Sequence, residues 1–222
     1  GEPTTGLPAT IDGGFTITVD QFGEATNALG VGTVSGQTGN LNITDGFLEV
    51  FDADTVTPPN TPSIGLGVVA GATGNLTMSG GTVFIDGGPT PDVLGAGDLL
   101  VGVAGTGSMT MTGGLLTAAD EIFIGQEAGS TGTLTVEGGV LETSARNVLV
   151  GFGGNGTLNV EASGTVNVAG VLFSSFFGAS TSTINQTGGT LNVTGDIVHG
   201  RQGAAVINHS GGALNGSRVM VI

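Results

Sequence analysis

The chain has 222 residues, with 18 acidic side chains against 3 basic ones and a formal charge of −15. It has 45 glycines and no Cys, Lys, Trp or Tyr, which excludes disulfides, thiolate metal centres and the clustered cations that nucleic acid requires. A hydrophobic content of 38% with a mean hydropathy of +0.36 excludes a disordered chain, while no apolar run approaches the ~20 residues of a membrane span. We therefore expect neither a nucleic-acid partner nor membrane insertion.

Along the chain, short segments alternate apolar and polar residues, as strands do when one face is buried. The first unit reads Ala9/Ile11, a Gly13-Gly14 turn, Ile17/Val19 and then Leu29/Val31. The second reads Leu41/Ile43, Asp45-Gly46, Leu48/Val50 and Ile64/Leu66. The third is Leu76/Met78, Gly80-Gly81, Val83/Ile85 and Leu99/Val101. Next come Met109/Met111, Gly113-Gly114, Leu116/Ala118 and Ile122/Ile124. The clearest unit follows: Leu134/Val136, Gly138-Gly139, Leu141/Thr143 and Val148/Val150. Leu158/Val160, Ser163-Gly164, Val166/Val168 and Val171/Phe173 continue it, and Gly188-Gly189 and Gly211-Gly212 mark the last turns.

The later turns recur about every 25 residues; the earlier intervals are longer because of the Pro- and Asp-rich segments 52–63 and 86–98. Three strands per repeat predict a triangular coil, with glycine at its corners and Thr or Asn facing out. The predicted fold class is all-β: a single parallel β-helix of about eight three-strand coils, roughly 40 Å long at the usual strand spacing. Residues 1–27 form an N-terminal segment and first coil, and 28–222 the remaining coils of the same domain. An antiparallel sandwich also uses short strands, but repeated identical corners favour the solenoid.

The units TGTLTVEGGVLET…NVLVG, TGSMTMTGGLLTA…LLVG and NGTLNVEASGTVNV resemble the Gly-rich repeats of bacterial autotransporter passengers and of secreted surface proteins with C-terminal sorting signals. The resemblance covers nearly the whole chain. It implies a β-helix on the cell surface or outside the cell, with an adhesive or structural role.

Pectin-degrading enzymes share this fold, but fold alone does not give function. Three scattered arginines (Arg146, Arg201, Arg218) and no Trp or Tyr sugar platform argue against a polysaccharide-active enzyme. We therefore expect no catalytic residues and no cofactor. The loop acids Asp52, Asp54, Asp86, Asp92 and Asp98 read as solvated, with a carboxylate pair or a Ca²⁺ site as the alternative. His199 and His209 fall at inward positions, and Gln186 lies one coil below His209. They are weak candidates for a metal site, with a hydrated end of the core as the plainer reading. Seven Asn-x-Ser/Thr sequons, beginning at Asn42, Asn75, Asn155, Asn185, Asn192, Asn208 and Asn215, read as outward ladder residues.

No polar cap is evident at either end. The segment 218–222 matches 146–150, so the chain holds close to a whole number of coils. The leading expectation is a secreted structural protein stacking head-to-tail on copies of itself into a filament, matrix or surface layer. Its contact residues are Ala9, Ile11, Phe15 and Ile17 at one end, and Ile207, Leu214, Val219, Met220, Val221 and Ile222 at the other. Residues 1–7 are expected to add a strand to the neighbour. The alternative is an adhesin binding glycans through the long loops.

Overall fold

The structure, a computed structural model, describes residues 9–26, 28–51, 64–87 and 97–222. None of the described residues is helical. The first coils comprise β1 (Ala9–Ile11), β2 (Thr16–Val19), β3 (Phe22–Thr26), then β4 (Leu29–Val31), β5 (Thr38–Ile43), β6 (Phe47–Phe51), then β7 (Ile64–Leu66), β8 (Thr73–Met78) and β9 (Thr82–Asp86). The middle coils comprise β10 (Leu99–Val101), β11 (Thr106–Met111), β12 (Leu115–Ala118), then β13 (Ile122–Ile124), β14 (Thr131–Val136), β15 (Val140–Thr143), then β16 (Val148–Val150), β17 (Asn155–Val160) and β18 (Thr165–Val168). The last are β19 (Leu172–Ser174), β20 (Thr181–Gln186), β21 (Thr190–Val193), then β22 (Ile197–His199), β23 (Ala204–His209), β24 (Ala213–Asn215) and finally β25 (Val219–Val221).

Every third strand pairs in parallel, forming three sheets of 9, 8 and 8 strands. The first sheet runs from β1 to β25, the second from β2 to β23 and the third from β3 to β24. The chain is a parallel β-helix of eight complete coils, plus one further strand in the first sheet.

Alternation fixes what each strand buries. In the second sheet Leu76, Met109, Leu134 and Leu158 stack directly above one another, each essentially without solvent exposure. The residues between them face outward and bond along the stack. Asn75 donates from Nδ2 to Asn40 Oδ1, Asn185 to Asn159, and Asn208 to Asn185. In the third sheet Asn192 donates to Asn167 and Asn215 to Asn192. Five of the seven sequon asparagines thus spend their amide nitrogen on a ladder, while Asn155 accepts the Thr181 hydroxyl.

The corner between the first and second sheets is tight. Gly125 has a φ of +74°, and a Cβ there would lie 2.3 Å from the Asn155 carbonyl oxygen. A side chain is strained there on both counts. Ser175 holds the equivalent position at φ +52°, and its hydroxyl bonds to Ser182 and to the Ala204 carbonyl.

Two strand assignments change. Ala9–Ile11 pairs with Leu29–Val31, and Thr16–Val19 pairs with Asn40–Ile43, so the first coil is shifted by one strand from the expected order. Gly13-Gly14 is a first-to-second-sheet corner that imitates the later Gly-Gly turns. The true equivalent of those turns precedes β3 at Asp20-Gln21, where Phe47 N–H bonds the Gln21 carbonyl. In the seventh coil Leu172 and Ser174, not Val171 and Phe173, occupy the inward positions. Phe173 faces out and joins a second cluster of Leu100, Val103, Phe123, Leu149, Phe152 and Phe176 over the outer face of the first sheet. Its rings meet mostly edge-to-face at 4.9–5.2 Å between centroids.

Candidate functional site

Most of the large apolar side chains left exposed among the described residues lie in the first coil and in the last strands, with Val34 and Phe177 as the exceptions. At the first coil Ile11 is buried and Ala9 packs against the core, while Ile17, in an inward column above Leu41, is 49% exposed. Phe15 is 71% exposed. Asp12 pins this coil to the next: its carboxylate accepts the Thr33 and Val34 N–H groups and the Thr33 hydroxyl. Slight burial pushes the Asp12 carboxyl up, but these hydrogen bonds outweigh it and hold the group below the usual carboxylate range.

At the other end Ile207 and Leu214 pack on the core from one side only. Val219 is 60% exposed, Val221 76%, and Met220 and Ile222 are exposed with them. The first sheet ends in β25, one strand beyond the ends of the other two. This end is therefore stepped, whereas β1, β2 and β3 begin within one coil.

Both histidines belong to the eighth coil and continue inward columns, but His199 is only half-buried and His209 is exposed. His199 continues the column of Ile124, Val150 and Ser174, and His209 that of Val136, Val160 and Gln186. The register through Ala204–Asn208 has no slip. His199 Nδ1 lies 2.9 Å from Ser174 Oγ, and His209 Nδ1 lies 3.2 Å from Gln186 Oε1. Gln186 Nε2 also donates to the Ala213 carbonyl at 2.7 Å. Each imidazole has its own polar partner, so the two are not brought to one centre. Among the described residues, no three His, Asp or Glu side chains converge to hold a metal ion. Asp52, Asp54 and Asp92, and the segment 1–7, lie outside the described residues.

One loop acid is not solvated as expected. Asp98 is only 4% exposed, and its Oδ1 accepts the Glu121 N–H at 2.9 Å. Burial pushes its carboxyl up to about 7, with Asp120 and Glu121 adding to the effect and Arg146 opposing it. The position is a corner rather than a loop, and Asn147 two coils on plays the same part by accepting the Val171 N–H.

Charge is also unevenly placed, which the strand pattern alone does not reveal. Residues 9–26 contain Asp12, Asp20 and Glu24 and no cation. Residues 197–222 contain Arg201, Arg218 and both histidines, and no acid. Arg218 pairs with Asp196 at 2.6 Å, and Arg201 lies 3.8 Å from the centre of the Phe176 ring. The chain's acidic character thus stops short of its last coil.

No helix among the described residues is long and apolar enough to cross a membrane. Compared with protein families, curated proteins and solved structures, the chain shows no match to any of them.

Proposed function

We propose that this chain is a secreted structural β-solenoid that assembles end to end with copies of itself. The observation behind this reading is apolar exposure in the inward columns of the last strands: Ile207 and Leu214 are half-buried, and Val219 and Val221 are exposed. Covering such columns removes apolar surface from water at about 25 cal/mol per Å² and pairs an otherwise free strand edge. A second copy is the occupant favoured by charge, since the acidic first coil would meet a last coil whose one nearby acid, Asp196, is already neutralised by Arg218.

Level closure places β2 of the incoming copy on β23 and its β3 on β24. The stepped strand β25 then takes the place beside β4 that β1 holds in the single chain. Val219 and Val221 replace Ala9 and Ile11 in the columns of Leu29 and Val31. This is strand replacement in a head-to-tail contact that does not close, and it generates a fibre.

Negative-stain electron microscopy of the purified chain tests the reading. Fibres with an axial repeat of eight strand spacings, about 38 Å, are expected, whereas β1 pairing on β25 gives nine, about 43 Å. Monodisperse short rods over a range of protein concentrations sink the proposal.

A further inference from the structure

The outward face of the second sheet is a two-dimensional lattice of small polar side chains. Its eight strands pair without a register shift, so the outward residues stand in columns, about 4.8 Å apart between strands and about 6.6 Å apart between alternate residues of one strand. At its centre Thr106, Ser108 and Thr110 of β11 pair one to one with Thr131, Thr133 and Thr135 of β14. All six are exposed or half-buried. Among the described residues Asn159 donates to the Thr135 hydroxyl, and the other five hydroxyls have no partner. Their hydrogen bonds go to whatever lies against the face.

The lattice is also neutral. No strand of the second sheet contains Asp, Glu, Lys or Arg, on a chain of formal charge −15. Acids such as Glu137 and Glu161 stand just past β14 and β17, at its rim.

This composition excludes most ligands. Without cations the face holds no phosphate or polyuronate, and without carboxylates it holds no metal ion. None of these strands contains Phe and the chain has no Trp or Tyr, so a sugar ring finds no platform to stack on. A second copy laid face to face would strip water from the same hydroxyls with little apolar burial in return. The ligand that remains is neutral and hydrogen-bonds at regular intervals. Two O–H···O bonds of about 2.8 Å reach across one strand spacing, so a single water bridges the hydroxyls of neighbouring strands. Repeated over the sheet, such waters form an ordered layer. The prism face of hexagonal ice repeats its oxygens at two comparable intervals set at right angles.

We propose that the outward face of the second sheet binds ice, through a layer of lattice water that merges with the crystal surface. Each contact is weak, and their number along the columns makes the binding firm. A single chain carries the whole lattice, so this binding does not depend on end-to-end assembly.

The test uses the full chain and ice itself. The wild type is expected to facet ice crystals held just below melting, and to be taken up by ice grown slowly from its solution. Thr133→Tyr sets a bulky ring among the hydroxyls but keeps a strand-favouring residue, and is expected to lower uptake at least about tenfold. Thr110→Lys puts a charge on the lattice and is expected to do the same, which covers the case of a ring that disturbs the fold; thermal midpoints show which variants are folded. Thr165→Tyr makes the matching change on the third sheet and is expected to leave uptake unchanged. Unfaceted crystals and rejection of the wild type from ice overturn the proposal, as does equal uptake by the wild type and all folded variants. Retention on crystalline cellulose without uptake into ice also overturns it, and gives the face to a neutral polysaccharide instead.

Discussion

Asp98 accepts the backbone N–H of Glu121 at 2.9 Å, joining two successive coils at a buried corner. Its folded pKa of about 7 lies above the ordinary carboxyl value, chiefly because of burial. The protonated acid therefore adds stability that is fully present below about pH 4 and is lost as pH rises through 7. Asp98→Asn keeps the accepting oxygen without the charge, as Asn147 does at its own corner. The variant is expected to exceed the wild type by roughly 1–3 kcal/mol at pH 8 and to match it near pH 4. Urea midpoints at the two pH values measure the difference.

The stacked interior predicts a sharp contrast between neighbouring residues of one strand. Leu134 is fully buried between Met109 and Leu158, whereas Thr135 faces outward. Leu134→Ala is expected to cost about 2–5 kcal/mol, and Thr135→Ala well under half of that. Chemical denaturation of the two variants side by side reads the ratio, and similar losses at both sites contradict the assigned register.

Gly125 tests the tight corner. Gly125→Ala places a methyl group against the Asn155 carbonyl at a positive φ, with an expected loss of about 1–3 kcal/mol. Ser175 shows that the column tolerates a side chain only with local compensation, here the Ser182 hydroxyl and the Ala204 carbonyl. Ser175→Gly is accordingly expected to shift the thermal midpoint far less than Gly125→Ala.

End-to-end assembly driven partly by charge is sensitive to salt. Raising NaCl from 0.05 M to 0.5 M is expected to shorten fibres or raise the concentration at which they form. Arg201→Glu is expected to do the same at low salt by giving the last coil an acid. If neither change alters sedimentation, electrostatics plays no part in choosing the partner.

The period-two alternation made the triangular coil readable, because each buried pair, such as Leu141 and Thr143, is separated by one outward residue. The order of the first coil is hidden in the sequence because Gly13-Gly14 looks like the later turns, while the true turn at Asp20-Gln21 carries no Gly pair. Apolarity alone places Phe173 inward, although Leu100, Phe123 and Leu149 already announce an apolar outer position in the same sheet. The burial of Asp98 had no local signal, since it depends on Glu121 lying one coil away. The charge contrast between residues 9–26 and 197–222 was fully present in the residue order, but it gains meaning only once those segments are known to be opposite ends.

The asparagine ladders give the rod a direction. In every Asn–Asn pair the amide hydrogen is passed from the later coil to the earlier one, so the side-chain dipoles line up along the axis instead of cancelling. At the last coil Asn208 and Asn215 have given their hydrogens backward and present oxygen forward. In the proposed assembly the incoming copy would bring a donor, Thr18, to the head of the Asn208 column. An inverted copy would set oxygen against oxygen. In the proposed assembly the same small amide that braces the wall would tell an arriving copy which way to face.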